Sequence, residues 1–352
     1  MRSAAHDPDS QPQFLSIQYL RAFAALGVVV FHASPATHPV MVGNAGVDIF
    51  FVISGFIMWN ITQESRSSPA LFLRNRLIRI VPVYWLVTTV LVAGALGIPD
   101  LFPTLKIDIP YAICSYLFVP MRSPGSPENG PILPVLAQGW TLNYEMFFYI
   151  LFSLCLFLRP NHRLTALSLS LLSCVITGVF YNGTNALLLC LTDPIFLEFL
   201  AGVFLSVCVQ KGLLPSRMWG YCFATLGVIL LLACTMTSVT QFRFLAWGIP
   251  AVLLVAGALV LEITGRIPQL PLLRLIGDSS YSLYLTHGLT LSLLAKVMTR
   301  SWLFSVLGLF AAIVVGICFW QLIERRLTVI LKRWFVKRPA DQLHLQTLTI
   351  KT

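Results

Sequence analysis

The chain has 352 residues, of which 57% are hydrophobic and 11% charged, with 24 Lys and Arg against 14 Asp and Glu. A water-soluble domain carries roughly a quarter charged residues, so the composition excludes an ordinary soluble enzyme and indicates an all-α polytopic membrane bundle. The net charge of +10 belongs to loops and a tail that can lie on anionic lipid, and gives no ground for nucleic acid as a partner.

Apolar runs of about 20 residues, the length that crosses a bilayer, fall at 17–34, 44–62, 80–98, 140–158, 164–181, 193–210, 218–238, 244–262, 276–296 and 302–323. They predict ten transmembrane helices. The first is read as a retained helix, not a signal peptide, because polar residues including Asp7 and Asp9 precede it and Arg21 sits in its first turn. With the N-terminus inside, every Lys and Arg except Lys106, Arg122, Arg243, Lys296 and Arg300 falls on the cytoplasmic side. Basic loops stay in the cytoplasm, so both termini are expected there. The expected organisation is a cytoplasmic segment at 1–16, an integral-membrane domain at 17–323 and a basic cytoplasmic tail at 324–352. Of the eight cysteines only Cys114 is clearly in an outer loop, and they show neither metal spacing nor a disulfide pattern. The outer loop 99–139 contains IPYAICSYLFVPM, too short to span and expected to dip back against the bundle.

Ionisable residues inside helices point to function, because each costs roughly 2.5–3.5 kcal/mol at the bilayer centre and turns toward the bundle interior. In the first span, Arg21 and His32 are eleven residues apart, almost three turns, which puts them on one face about 16 Å apart. Snorkelling to headgroups is the alternative for Arg21. Asp48 opens the second span, GVDIFFVISGFIMW, where it could orient His32 or simply complement the helix dipole. Arg76 and Arg79, three residues apart before the third span, could hold phosphate oxygens and with Arg21 would form a basic inner mouth. Glu145 lies about two turns inside the fourth span, GWTLNYEMFFYILF. In the ninth, IGDSSYSLYLTHGL, residues Ser280, Tyr284 and His287 share a face, which fits polar glue between helices as well as substrate contact.

Arg21 and His32 with ten residues between them, GVDIFFVISGF, Arg76-Leu77-Ile78-Arg79, GWTLNYEMFFY and SSYSLYLTHG run in order from about residue 15 to 325. Together they resemble the membrane-bound acyltransferase-3 family, and WTLNYEMFFY most resembles its exopolysaccharide O-acetyltransferase branch. The resemblance implies a multi-pass enzyme of the bacterial cytoplasmic (inner) membrane. It would take an acyl group, usually acetyl, from cytoplasmic acyl-CoA and deliver it to a sugar hydroxyl at the outer face, using no metal. Arg21, Arg76 and Arg79 would bind the phosphates of acetyl-CoA, and His32 would act as general base or acyl carrier. Glu145 and Asp48 would orient His32 or bind the sugar, and Tyr281 would hydrogen-bond at the reacting centre. The acceptor would be a polysaccharide or lipid-linked oligosaccharide. Some relatives append a soluble esterase-like domain; ending in a basic tail, this chain is expected to act alone or with separate polysaccharide-assembly proteins.

Two other classes compete. A secondary transporter or lipid-linked sugar flippase also carries buried Arg, Glu, Asp and His, but the sequence shows neither paired halves nor corresponding broken helices. A polytopic glycosyltransferase using a lipid-phosphate donor would call for a large acidic outer loop, whereas 99–139 holds only Asp100, Asp108 and Glu128.

Overall fold

The fold comes from a computed structural model that describes residues 14–35, 37–64, 68–103, 105–235, 243–265 and 267–335. Most of the N-terminal segment, the tail beyond residue 335 and Arg2, Arg66, Arg266, Lys337, Arg338 and Lys351, which are expected on the inner side, lie outside it. Among the described residues there is no strand.

The chain forms α1 (Leu15–Ala33), α2 (Gly46–Glu64), α3 (Pro69–Gly97), α4 (Ile109–Tyr116), α5 (Trp140–Cys155), α6 (Pro160–Phe180) and α7 (Ala186–Leu191). It continues with α8 (Phe196–Gln210), α9 (Arg217–Thr235), α10 (Ile249–Ile263), α11 (Pro271–Asp278), α12 (Ser280–Leu294), α13 (Trp302–Phe319) and α14 (Arg325–Phe335). Eight helical stretches among the described residues are long and apolar enough to cross a membrane. The other two expected spans are present as shorter helices, α5 with 16 residues and α12 with 15.

Breaks and π-helical turns punctuate the helices. Between α7 and α8, Pro194 has no amide hydrogen to give, and the Asp193 carboxylate accepts from the Ile195 amide at 2.9 Å. Between α11 and α12, the Ser279 hydroxyl donates to the Leu275 carbonyl at 2.9 Å, a local bond that competes with helix continuation. The π-helical turns Phe244–Gly248 and Trp320–Glu324 lead into α10 and out of α13. The expected span 276–296 is therefore corrected to two helices, α11 and α12. Short polar side chains made the breaks, and hydropathy averaged over a window does not register them.

Helix α1 starts without a side-chain cap of its own. Its first amides are satisfied from α10, where the Glu262 carboxylate accepts from Leu15 N at 2.7 Å and Ser16 N at 2.9 Å. Free amides at a helix start need such partners in a membrane. The core lies between α2, α5 and α8, where Phe148 stacks on Phe199 with ring centroids 4.4 Å apart and Phe51 approaches Phe199 at 4.9 Å. Phe157, Phe180 and Val297 are exposed, as lipid-facing side chains are.

Helix α4 is bound to the bundle as the sequence anticipated. Tyr84 OH donates to Ser115 O at 3.0 Å, Tyr111 OH to Leu133 O at 2.8 Å, and Val135 N to Ser115 Oγ at 3.0 Å. These bonds hold residues 133–136 over the end of the bundle where His32 lies.

Candidate functional site

The uninterrupted α1 carries Arg21 near one end and His32 near the other, so the 1.5 Å rise per residue keeps them about 16 Å apart. Four cavities fill the distance between and beyond them. The first, about 600 Å³, is lined by Arg21, Arg76, Arg79, Arg274 and Arg325, with Asp278 and Glu324 as its carboxylates. Five guanidiniums against two carboxylates make it a seat for a polyanion. Arg21 is only 9% exposed and donates to Gln18 Oε1 at 3.3 Å, while Nε of Arg76 is buried with no hydrogen-bond partner among the described residues.

Arg21, Arg79 and Ile57 also line the second cavity, a neck of about 110 Å³. Its polar wall comprises Ser54, Thr141, Glu145, Tyr149, Ser280, Tyr281 and Tyr284. Tyr284 and Val47 separate the neck from a third cavity of about 230 Å³ that contains His32 and His287. Phe31, His32, Ala137 and Gln138 divide that chamber from a fourth cavity of about 510 Å³, bounded by Pro35, Ser292 and Arg300. Each pair of neighbouring cavities shares wall residues. The result is a polar route through the bundle, charged at one end and carrying imidazoles toward the other.

The structure brings Arg21, Arg76 and Arg79 together, and places His32 at the boundary of the third and fourth cavities. It corrects the expected surroundings of His32. Asp48 does not orient the imidazole: its carboxylate is fully buried and bound to Arg243 at 2.8 Å. Glu145 does not reach His32 either; it accepts from Ser54 Oγ at 3.1 Å and from the Tyr149 hydroxyl in the neck. The Tyr281 hydroxyl donates to Ile80 O at 2.8 Å, which ties α12 to α3 beside the neck. The group that meets His32 is instead His287, at 5.1 Å between ring centroids.

In the sequence His287 stands out only through its helical face, and neither Ser54 nor Arg243 is marked out as a site residue. Arg243 has one available signal, as an arginine directly before an apolar span. Nothing local could pair it with Asp48, 195 residues away.

Fold and route define a polytopic α-helical membrane protein built around a polar passage. The profile of the acyltransferase-3 family, an acyltransferase domain, matches residues 14–325, and the chain belongs to that family. It is 42% identical over 312 residues to the exopolysaccharide production protein ExoZ of Rhizobium meliloti, covering 85% of this chain and 94% of that protein. It is 28% identical to the O-acetyltransferase OatA of Staphylococcus aureus over 55% of this chain, and 28% identical to the peptidoglycan O-acetyltransferase OatA of Listeria monocytogenes over 69%. These matches take in 35% and 37% of the two OatA proteins, so the chain spans about a third of their length. No solved structure matches the chain.

Proposed function

We propose that this membrane acyltransferase carries an acetyl group from cytoplasmic acetyl-CoA to a hydroxyl of a cell-surface polysaccharide or exopolysaccharide at the outer face of the bacterial inner membrane. The observation that supports this reading is the series of adjoining cavities from the cluster of Arg21, Arg76 and Arg79 to His32. Guanidiniums bind phosphate oxygens through charge-assisted and often bidentate hydrogen bonds, so the inner cavity suits the phosphates of CoA. The pantetheine arm follows the neck past Glu145 and Tyr281 and presents the thioester near His32. His32 borders the outer cavity, where it takes the proton of an acceptor hydroxyl as the oxygen attacks the thioester carbonyl. Ten spans, both termini in the cytoplasm and α14 lying on the inner leaflet complete the proposed arrangement, with residues 17–323 as the membrane domain between the segments 1–16 and 324–352.

Mass spectrometry of the surface polysaccharide from cells with and without the gene tests the reading directly. A loss of one acetyl group per repeat is expected on deletion. An unchanged, normally exported polysaccharide refutes the reading for that glycan, and loss of the polysaccharide with its precursor retained inside indicates a carrier. The purified protein separates the two ends of the route. Arg79→Ala or Arg76→Ala should raise the KM for acetyl-CoA, with activity partly recovered at high donor. His32→Ala should still bind CoA while turnover falls by about 10² to 10⁴-fold, the range for a lost general base, and no donor concentration should restore it.

A further inference from the structure

We propose that His287 is a second catalytic base of the transfer, taking the acceptor proton from His32 and handing it to the departing CoA thiolate. The inference rests on the acetyl-CoA reading above and adds a residue which that reading does not use.

The two imidazoles meet at 5.1 Å between ring centroids, and both are fixed in the same tautomer by main-chain carbonyls. His32 Nδ1 lies 2.9 Å from Val28 O, and His287 Nδ1 lies 2.7 Å from Tyr284 O. A carbonyl oxygen can only accept, so each Nδ1 carries the hydrogen and each Nε2 holds a lone pair. His287 is fully buried, and its Nε2 has no hydrogen-bond partner among the described residues. Buried polar atoms are nearly always paired, and an idle base next to a proposed general base calls for a reason.

The cavities supply the order of events. His32 lines both the outer cavity and the third, whereas His287 lines only the third, which adjoins the neck through Tyr284. Passing inward along the wall, His32 comes first, on the acceptor's side, and His287 second, on the side of the donor's sulfur, while the hydroxyl oxygen meets the acyl carbon beside the pair. Among the described residues, His32 and His287 are the only imidazole or carboxylate groups in the wall of the third cavity. Two adjacent imidazolium ions repel, and no carboxylate of the described residues lines the cavity to offset them, so the pair carries one extra proton at a time.

The transfer then balances. The hydroxyl oxygen bonds to the acyl carbon and the C–S bond breaks. The hydroxyl proton moves to His32 Nε2, on to His287 Nε2 and finally to the thiolate sulfur, leaving both imidazoles neutral and CoA as the free thiol.

The test uses the purified full-length protein with acetyl-CoA and an acceptor saccharide. His287→Gln should lower kcat by about 10² to 10³-fold, within the range for a proton-transfer group, with KM for acetyl-CoA, CoA affinity and Tm unchanged. Groups that act as one unit are non-additive, so His32→Gln/His287→Gln should show the residual rate of His32→Gln alone. Three results would overturn the relay: full activity of His287→Gln, losses that multiply in the double variant, or a raised KM or lowered Tm in both His287→Gln and the smaller His287→Asn. A wild-type protein that transfers nothing from acetyl-CoA would instead remove the donor assignment, and the relay with it.

Discussion

Asp48 shows how one side chain can act on the site without touching it. It begins α2, where the helix N-terminus favours a carboxylate, and the 2.8 Å ion pair fixes Arg243 beside it. The Arg243 guanidinium lies over Trp140 at 5.7 Å from the ring centre, and Trp140 walls the cavity shared by His32 and His287. Asp48 thus sets a wall of the chamber through two intermediaries. Removing one partner of a buried ion pair leaves an uncompensated charge, at about 3–5 kcal/mol. Arg243→Ala should accordingly lower the Tm of the detergent-solubilised protein markedly. Asp48→Asn combined with Arg243→Gln should recover part of the loss, because the Asp48 charge is then removed together with its cation; a double variant no more stable than Arg243→Ala would contradict this account. Arg243→Lys should lie in between, since an ammonium keeps the charge and loses the planar face that stacks on indole.

Among the helices, α2 crosses α8 closely, where Gly55 faces the backbone of Phe199 and Gly202 faces that of Val52. A side chain at either position would meet a main-chain carbonyl, which cannot move aside as a flexible side chain can. Small residues let membrane helices approach closely enough for van der Waals contact to hold them. The crossing brings Ser54 of α2 to the neck and stacks Phe199 on Phe148 of α5. Gly202→Leu should therefore destabilise the fold by at least the 1–3 kcal/mol typical of overpacking, seen as a lower Tm. Gly97→Ala, with nothing within 4 Å of the added carbon, should leave Tm unchanged or slightly raised. Equal effects of the two would show that the crossing is not tightly packed.

For the whole molecule, the functional reading depends on which face each end of the route meets. A cysteine at exposed His38 or Asn182 should react with a membrane-impermeant thiol reagent in intact cells, and one at exposed Asn161 should not. The measurement is made in a background lacking the native cysteines, and the opposite pattern would invert the orientation. Gly43, which from the sequence alone would serve as an outer reporter, is buried, and a side chain there would run into the Gly27 carbonyl. The face of each loop can be inferred from its charge, but its local packing cannot.

The sequence by itself determined the membrane environment, the positions of most helices, the shared face of Arg21 and His32, and the resemblance to the acyltransferase-3 family. These depend on hydropathy, on helical periodicity and on short motifs, all of them local. Joining Arg21, Arg76 and Arg79 in one cavity was also within reach, because basic residues at the same ends of neighbouring spans have few other places to go. Only the tertiary structure decided that Asp48 belongs to Arg243, that Glu145 lies in the neck with Ser54 and Tyr149, and that His287 faces His32. The physical reason is that each of these pairings depends on the relative rotation and depth of two packed helices. Those are set by small-residue crossings such as Gly55 on Phe199 and by breaks such as Ser279, and neither changes the hydropathy profile from which the spans were read.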